Sequence, residues 1–209
     1  MRCPNKNKIL LPYTLSYILK CGLEKNIVII ADSDEFLPIV NDLHILDYYV
    51  EDRVDGSDEM LSIRNYLSDK DVHEFIWLPT TQPCRSDNLI NEALSCDLSK
   101  YDLVTSFITR PRRDIFKLSD NKDSFMISGI ERKGSLCGDE FVVDGAIYYT
   151  TKDFINKVCD SNNRNYYFWN SKIQFIENHS PLVDIDTKHD LEIFLNGYGK
   201  EKIVINRQQ

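Results

Sequence analysis

No two of the six cysteines (Cys3, Cys21, Cys84, Cys96, Cys137, Cys159) stand in a Cys-x-x-Cys pair, and the 209 residues contain no secretory leader or membrane-length apolar run. These absences exclude a clustered thiol motif, an export signal and a spanning segment from the reading, and leave a reduced, cytoplasmic chain with no membrane partner as the simplest expectation. Positive charge is also scarce. The 25 Lys and Arg are outnumbered by 33 Asp and Glu, for a net charge of -8. That argues against a general nucleic-acid binder, although a local basic pocket for a small anion is compatible with it. Repeats, low-complexity tracts and linkers are missing too. What is present, 42% hydrophobic and 11% aromatic residues, is enough to bury a substantial core, and the expectation is a single domain over residues 1–209.

Helical and extended signals alternate through the first half. "LPYTLSYILKCGL" has Leu15, Ile18, Leu19 and Leu23 at helical spacing, and "NIVIIADSDE" follows as a short apolar strand broken by polar residues. "SDEMLSIRNYL" then predicts a helix, "HEFIWLP" a strand stopped by Pro79, "SDNLINEALS" a helix opened by Ser86 or Asp87, and "YDLVTSFI" the next strand. Strands separated by helices imply a mostly parallel sheet covered on both faces, an α/β/α sandwich whose ligands gather at the carboxyl ends of the strands. Residues 110–145 are charged and turn-rich, which predicts a meander of small strands or an excursion used for oligomerisation. Beyond it come "AIYYT", a helix at "TKDFINKVC", an extended "YYFW", the strand "KIQFI" and a last helix from Thr187.

Three stretches could carry chemistry. In "PLVDIDTKHDL", an extended Val183 to Asp186 sends Asp184 and Asp186 to one face and Ile185 to the other. Thr187 and Asp190 fit a capping box, but that leaves Asp184 unexplained. Paired carboxylates repel unless a cation or a shared proton intervenes, and magnesium suits an oxygen-only pair completed by water and phosphate. "RCPNKNK" is either a solvated basic turn or a phosphate contact, with Lys6 as a point charge and Asn7 orienting a neighbour. "LPTTQPCR" follows a strand directly, where site and scaffold readings of its residues, Gln82 and Arg85 included, are both open.

Taken in order, "CPNKNKILLPYT", "IVIIADSDEF", "LPTTQPCR", "DGAIYY" and "VDIDTKHDL" resemble the acylneuraminate cytidylyltransferases (CMP-sialic acid synthetases) and their 3-deoxy-manno-octulosonate relatives over essentially the whole chain. The resemblance implies a three-layer α/β/α sandwich of nucleotide-diphospho-sugar transferase type. It implies an enzyme that joins CMP from CTP to a sialic-acid-like 2-keto-3-deoxy sugar acid, releases pyrophosphate, uses magnesium and works as a homodimer, with residues 110–145 as the dimerisation or substrate excursion. It further implies Lys6 and Asn7 beside the nucleotide, with Lys6 facing phosphate, and Arg53, Ser62 and Arg85 as further nucleotide contacts. Asp184 and Asp186 become the metal ligands, catalytic together with Lys6. Gln82, Asp144, Tyr167 and Phe168 fall on the sugar side, although core packing accounts equally well for Tyr167 and Phe168.

The sequence also departs from that pattern. Ahead of Lys6 the family has a first strand and an "A-R-x-G-S-K"-like phosphate loop, and roughly a dozen residues of strand plus turn are missing. Pro79 stands where a Gln is common, Asp144 stands where an Asn precedes "GAIY", and "CGDEF" replaces an "R-Q-D" element. The preferred explanation for the missing loop is a start codon assigned too late. The alternative is a catalytically impaired or silent family member acting as a structural or regulatory partner.

Overall fold

The computed structural model describes residues 6–23, 27–40, 45, 47–51, 59–111, 115–121, 124–131 and 138–197, the side chains of 6–9, 39–40, 115–121 and 124–131 excepted. The first helix, α1 (Lys6–Lys20), takes up Pro12 and begins earlier than its apolar spacing suggests, so Lys6 and Asn7 lie in its first turn rather than in a preceding loop. Next come β1 (Val28–Ala31), a tight helical turn at Asp34–Phe36 that runs into α2 (Leu37–Val40), and β2 (Asp47–Val50), which pairs parallel with β1.

After α3 (Glu59–Leu67) come β3 (Glu74–Trp77), α4 (Leu89–Leu94) and β4 (Leu103–Pro111). The excursion is an antiparallel pair, β5 (Ile115–Asn121) with β6 (Ser124–Glu131), and among the described residues it forms its own two-stranded sheet. The 13-residue β7 (Asp139–Thr151) returns to the core, followed by α5 (Lys152–Asp160), α6 (Arg164–Trp169), β8 (Ile173–Glu177) and α7 (Lys188–Gly197).

The main sheet has the order β3-β7-β4-β8. Since β7 is antiparallel to both β3 and β4, and β8 is parallel to β4, three strands run one way and β7 runs against them. Period-2 alternation distributes their side chains. Phe75 and Trp77 of β3 pack toward α3 and α5, whereas Ile76 and Leu78 pack toward α1 and α4. The same division runs through β1, with Val28 and Ile30 against α3 and Ile27 and Ile29 against α1. The expected α/β/α sandwich is therefore present, with α1, α4 and α7 on one face and α3, α5 and α6 on the other. β1 and β3 share the same flanking helices, yet they belong to different sheets.

The stretch "YYFW" is helical rather than extended. Asn163 caps α6 by accepting from the Tyr166 amide at 3.1 Å, and the roughly 100° step between helical neighbours turns Phe168 into the core while Tyr167 stays 41% exposed. Strand β2 carried no sequence signal singled out above; its "DYYV" mixes tyrosines with a charged end.

Candidate active site

A cavity of about 670 Å3 opens beyond the carboxyl ends of β3 and β8. Most of its lining comes from three chain segments: Pro79, Thr81 and Gln82 from the loop after β3, Val143, Asp144, Gly145 and Tyr148 from β7, and Asp184 and Asp186 from the segment after β8. Residues 181–186 are not in a strand, but the alternation predicted for them holds. Ile185 is completely buried against Leu10, Leu191 and Phe194, its amide donates to the Thr81 carbonyl at 3.0 Å, and the aspartates on either side both reach the cavity. Thr187 and Asp190 form the expected capping box, each amide donating to the other's side chain, at 2.7 and 3.2 Å. These hydrogen bonds, the Thr187 hydroxyl foremost, hold the Asp190 carboxyl below its ordinary range. The cap fixes where the chain turns from Asp186 into α7.

Behind the wall lies a polar knot. Asp144 accepts from the Ser106 hydroxyl at 2.5 Å and from the Asn178 amide at 2.6 Å. Asn178, only 2% exposed, also donates to the Cys84 carbonyl and accepts from the amides of Ser86 and Ser180. One side chain thereby joins β7, the loop after β3 and the segment leading to Asp184. Gly145 allows the turn beside it: its φ is +63°, and a Cβ there would meet the Tyr148 hydroxyl at 2.6 Å.

Arg85, expected at the nucleotide, braces three segments of the frame. It is buried, it is not among the cavity-lining residues, and its guanidinium donates to the carbonyls of Ala146 (2.8 Å) and Pro79 (2.7 Å) and to the Thr14 hydroxyl (3.3 Å). Burial lowers its pKa to about 10, opposed by nearby Tyr17 and Asp144, so it stays charged at neutral pH. Ser62 likewise is buried within α3, away from the cavity lining. Tyr167 packs near Phe154 rather than at the cavity, while Phe168 is a core residue between Tyr148 and Phe154. Gln82, Asp144, Asp184 and Asp186 are brought together. The side chains of Lys6 and Asn7, and Arg53 as a whole, lie outside the described part of the structure.

Sequence reasoning passed over Glu59, Trp77, Tyr148 and Trp169. The first cavity shares all four with a second of about 250 Å3, which adds Met60, Asn165 and Phe168. Trp77 was legible in principle, since it is the last residue of a strand whose carboxyl end faces the site. Burial first, then the charges of Glu59, Asp144 and Asp184, push the Tyr148 hydroxyl up to about 12, so three carboxylates act on one point. Among the described residues lining either cavity there is no Lys, Arg or His. No group of three or more His, Cys, Asp or Glu among the described residues could hold a metal. The pair Asp184 and Asp186 nevertheless fits magnesium, which usually takes one or two carboxylates and completes its shell with water and phosphate.

Solved structures share this architecture. A 4-diphosphocytidyl-2C-methyl-D-erythritol synthase from Anaerococcus prevotii matches with a TM-score of 0.60 and 15% identity, covering 90% of this chain and 85% of that one. The chain shares the fold of that solved structure. An inositol-1-phosphate CTP transferase from T. maritima matches at 0.57 and 13% identity, covering 87% and 78% of the two chains, and HddC from Yersinia pseudotuberculosis at 0.55 and 16%, covering 88% and 82%. No family model and no curated protein matches the sequence.

Proposed function

We propose that the chain is a cytidylyltransferase that joins CMP from CTP to a sialic-acid-like 2-keto-3-deoxy sugar acid. The observation that carries this reading is the convergence of Asp184 and Asp186 on one cavity beyond the strand ends, in a fold shared with an inositol-1-phosphate CTP transferase. In the proposed reaction the sugar's anomeric hydroxyl oxygen attacks the α-phosphorus of CTP. A new O–P bond forms as the bond to the bridging oxygen of the β-phosphate breaks, the hydroxyl proton is released, and pyrophosphate leaves with the electron pair. Asp184 and Asp186 would hold magnesium, which would supply charge neutralisation for the phosphates.

The chain's own residues position and exclude. Ile185 anchors the segment that carries the two aspartates to the core, and the Asn178 knot fixes Asp144 as a pre-set acceptor on the sugar side, together with Gln82. The reading keeps Lys6 and Asn7 at the phosphates and Arg53 at the base and triphosphate, while Ser62 and Arg85 hold the frame. The test is pyrophosphate release from CTP with a panel of keto-sugar acids. The expected outcome is release with at least one acceptor, abolished by a chelator and restored by magnesium. Absence of release with every acceptor would leave the catalytically silent alternative standing instead.

A further inference from the structure

Asn178 opens the segment that runs from β8 to Asp184, and its backbone amide is tied to β4 by donating to the Phe107 carbonyl at 2.7 Å. Its side chain is 2% exposed and lies behind the cavity wall, not among the lining residues. From there it reaches the other two segments that supply most of the lining. It donates to Asp144 of β7 at 2.6 Å and to the Cys84 carbonyl of the loop after β3 at 3.1 Å, and it accepts from the Ser86 amide at 2.9 Å. A further bond from the Ser180 amide, at 3.2 Å, closes a local turn at the start of the path to Asp184. These partners fix the orientation of the side chain. Backbone N–H groups only donate, so the two that meet Oδ1 leave the NH2 group for Cys84 and Asp144.

Ser106 makes a more local contact with the same carboxylate. Its hydroxyl accepts from the Ala146 amide at 3.1 Å and donates to Asp144, so among the described residues its side-chain hydrogen bonds stay within β4 and β7. The loop and the Asp184 segment are also joined by the Ile185 amide on the Thr81 carbonyl, whereas the Asp144 side chain is tied to both through Asn178. We infer that Asn178 is a positioning residue: without touching a substrate, it sets the metal side of the cavity, Asp184 and Asp186, in register with the acceptor side, Asp144 and Gln82. The inference rests on the larger cavity being the nucleotidyl-transfer site. Transfer there needs the attacking oxygen and the α-phosphorus held in line, which is where small displacements of the wall are costly.

The chain's two tryptophans, Trp77 and Trp169, both line this cavity, so intrinsic fluorescence reports on a titration with CTP and magnesium. The parent should give a saturable change. Asn178→Ala should weaken binding by about tenfold or more, because the site must then be ordered as the nucleotide enters. The size-matched Asn178→Asp keeps the two amide contacts but sets a second carboxylate against Asp144, and about the same loss is expected. Ser106→Ala takes a donor from the same carboxylate without loosening the Asp184 segment, and should stay within about threefold of the parent. Each variant is read where far-ultraviolet circular dichroism shows it folded. An equal loss in Ser106→Ala and Asn178→Ala would mark general destabilisation and overturn the inference. So would parental affinity in either folded Asn178 variant, or no saturable change in the parent. Pyrophosphate release by the parent beside insensitive Asn178 variants would remove the positioning role alone. CTP binding that depends on Asn178, beside no release with any acceptor, would remove the transfer reaction and keep the role of Asn178 at a nucleotide site.

Discussion

Asn178 satisfies four partners from a position almost without solvent, so its loss is costly in a way that side-chain volume alone does not describe. Asn178→Ala leaves a carboxylate oxygen of Asp144 and the Ser86 amide short of a partner. The expected loss is about 1–3 kcal/mol in urea unfolding, and an unchanged midpoint would contradict the knot. Gly145→Ala should cost about 1–2 kcal/mol for its left-handed φ, with an added clash against the Tyr148 hydroxyl. Placing the same substitution in a Tyr148→Phe background should recover only the clash, so the double variant should be more stable than the sum of the singles. Asp184 and Asp186 were legible from sequence because a period of two needs only neighbouring residues. Tyr148 and Trp169 were not, since they come from distant segments that the fold brings together beside Trp77.

Capping decides the geometry of α7 and, through it, of Asp186. Thr187→Ala removes the hydroxyl that both accepts from Asp190 N–H and donates to its carboxylate. Its thermal midpoint should fall by about 2–4 °C. Because the Asp190 pKa is depressed in the folded chain, the stability it contributes is present above the ordinary carboxylate pKa and is lost as pH falls through the lowered value. Asp190→Asn should therefore flatten the acid limb of a stability-against-pH curve while the neutral-to-alkaline part keeps its shape. The strands β1, β3 and β4 were readable as apolar runs between turn residues. The helix α6 was misread because four consecutive aromatics suit a strand by propensity, and the Asn163 cap outweighs that preference locally.

Three kinds of contact hold the molecule's layers in place: the alternating faces of β1 and β3, the buried Arg85 brace between α1, β7 and the loop after β3, and the Asn178 knot. The first half of β7 exposes Phe141 (72%), two residues before the cavity-lining Val143 (43%). A homodimer that uses this face is expected. Light scattering should give twice the chain mass, and Phe141→Lys should shift it toward the monomer; a parent chain that already runs as a monomer would contradict this. The α/β/α class followed from the order of helices and strands, whereas the separation of β1–β2 from the main sheet did not, because hydrogen-bond partners leave no mark on periodicity.

The most direct measurement is the rate of pyrophosphate release from CTP, with magnesium and an accepted sugar acid, for the parent chain against Asp184→Asn and Asp186→Asn. Both side chains are exposed in the cavity, so both variants should fold as the parent does in far-ultraviolet circular dichroism. The account predicts that each loses turnover by about a hundredfold or more. Near-parental turnover in either variant would contradict it.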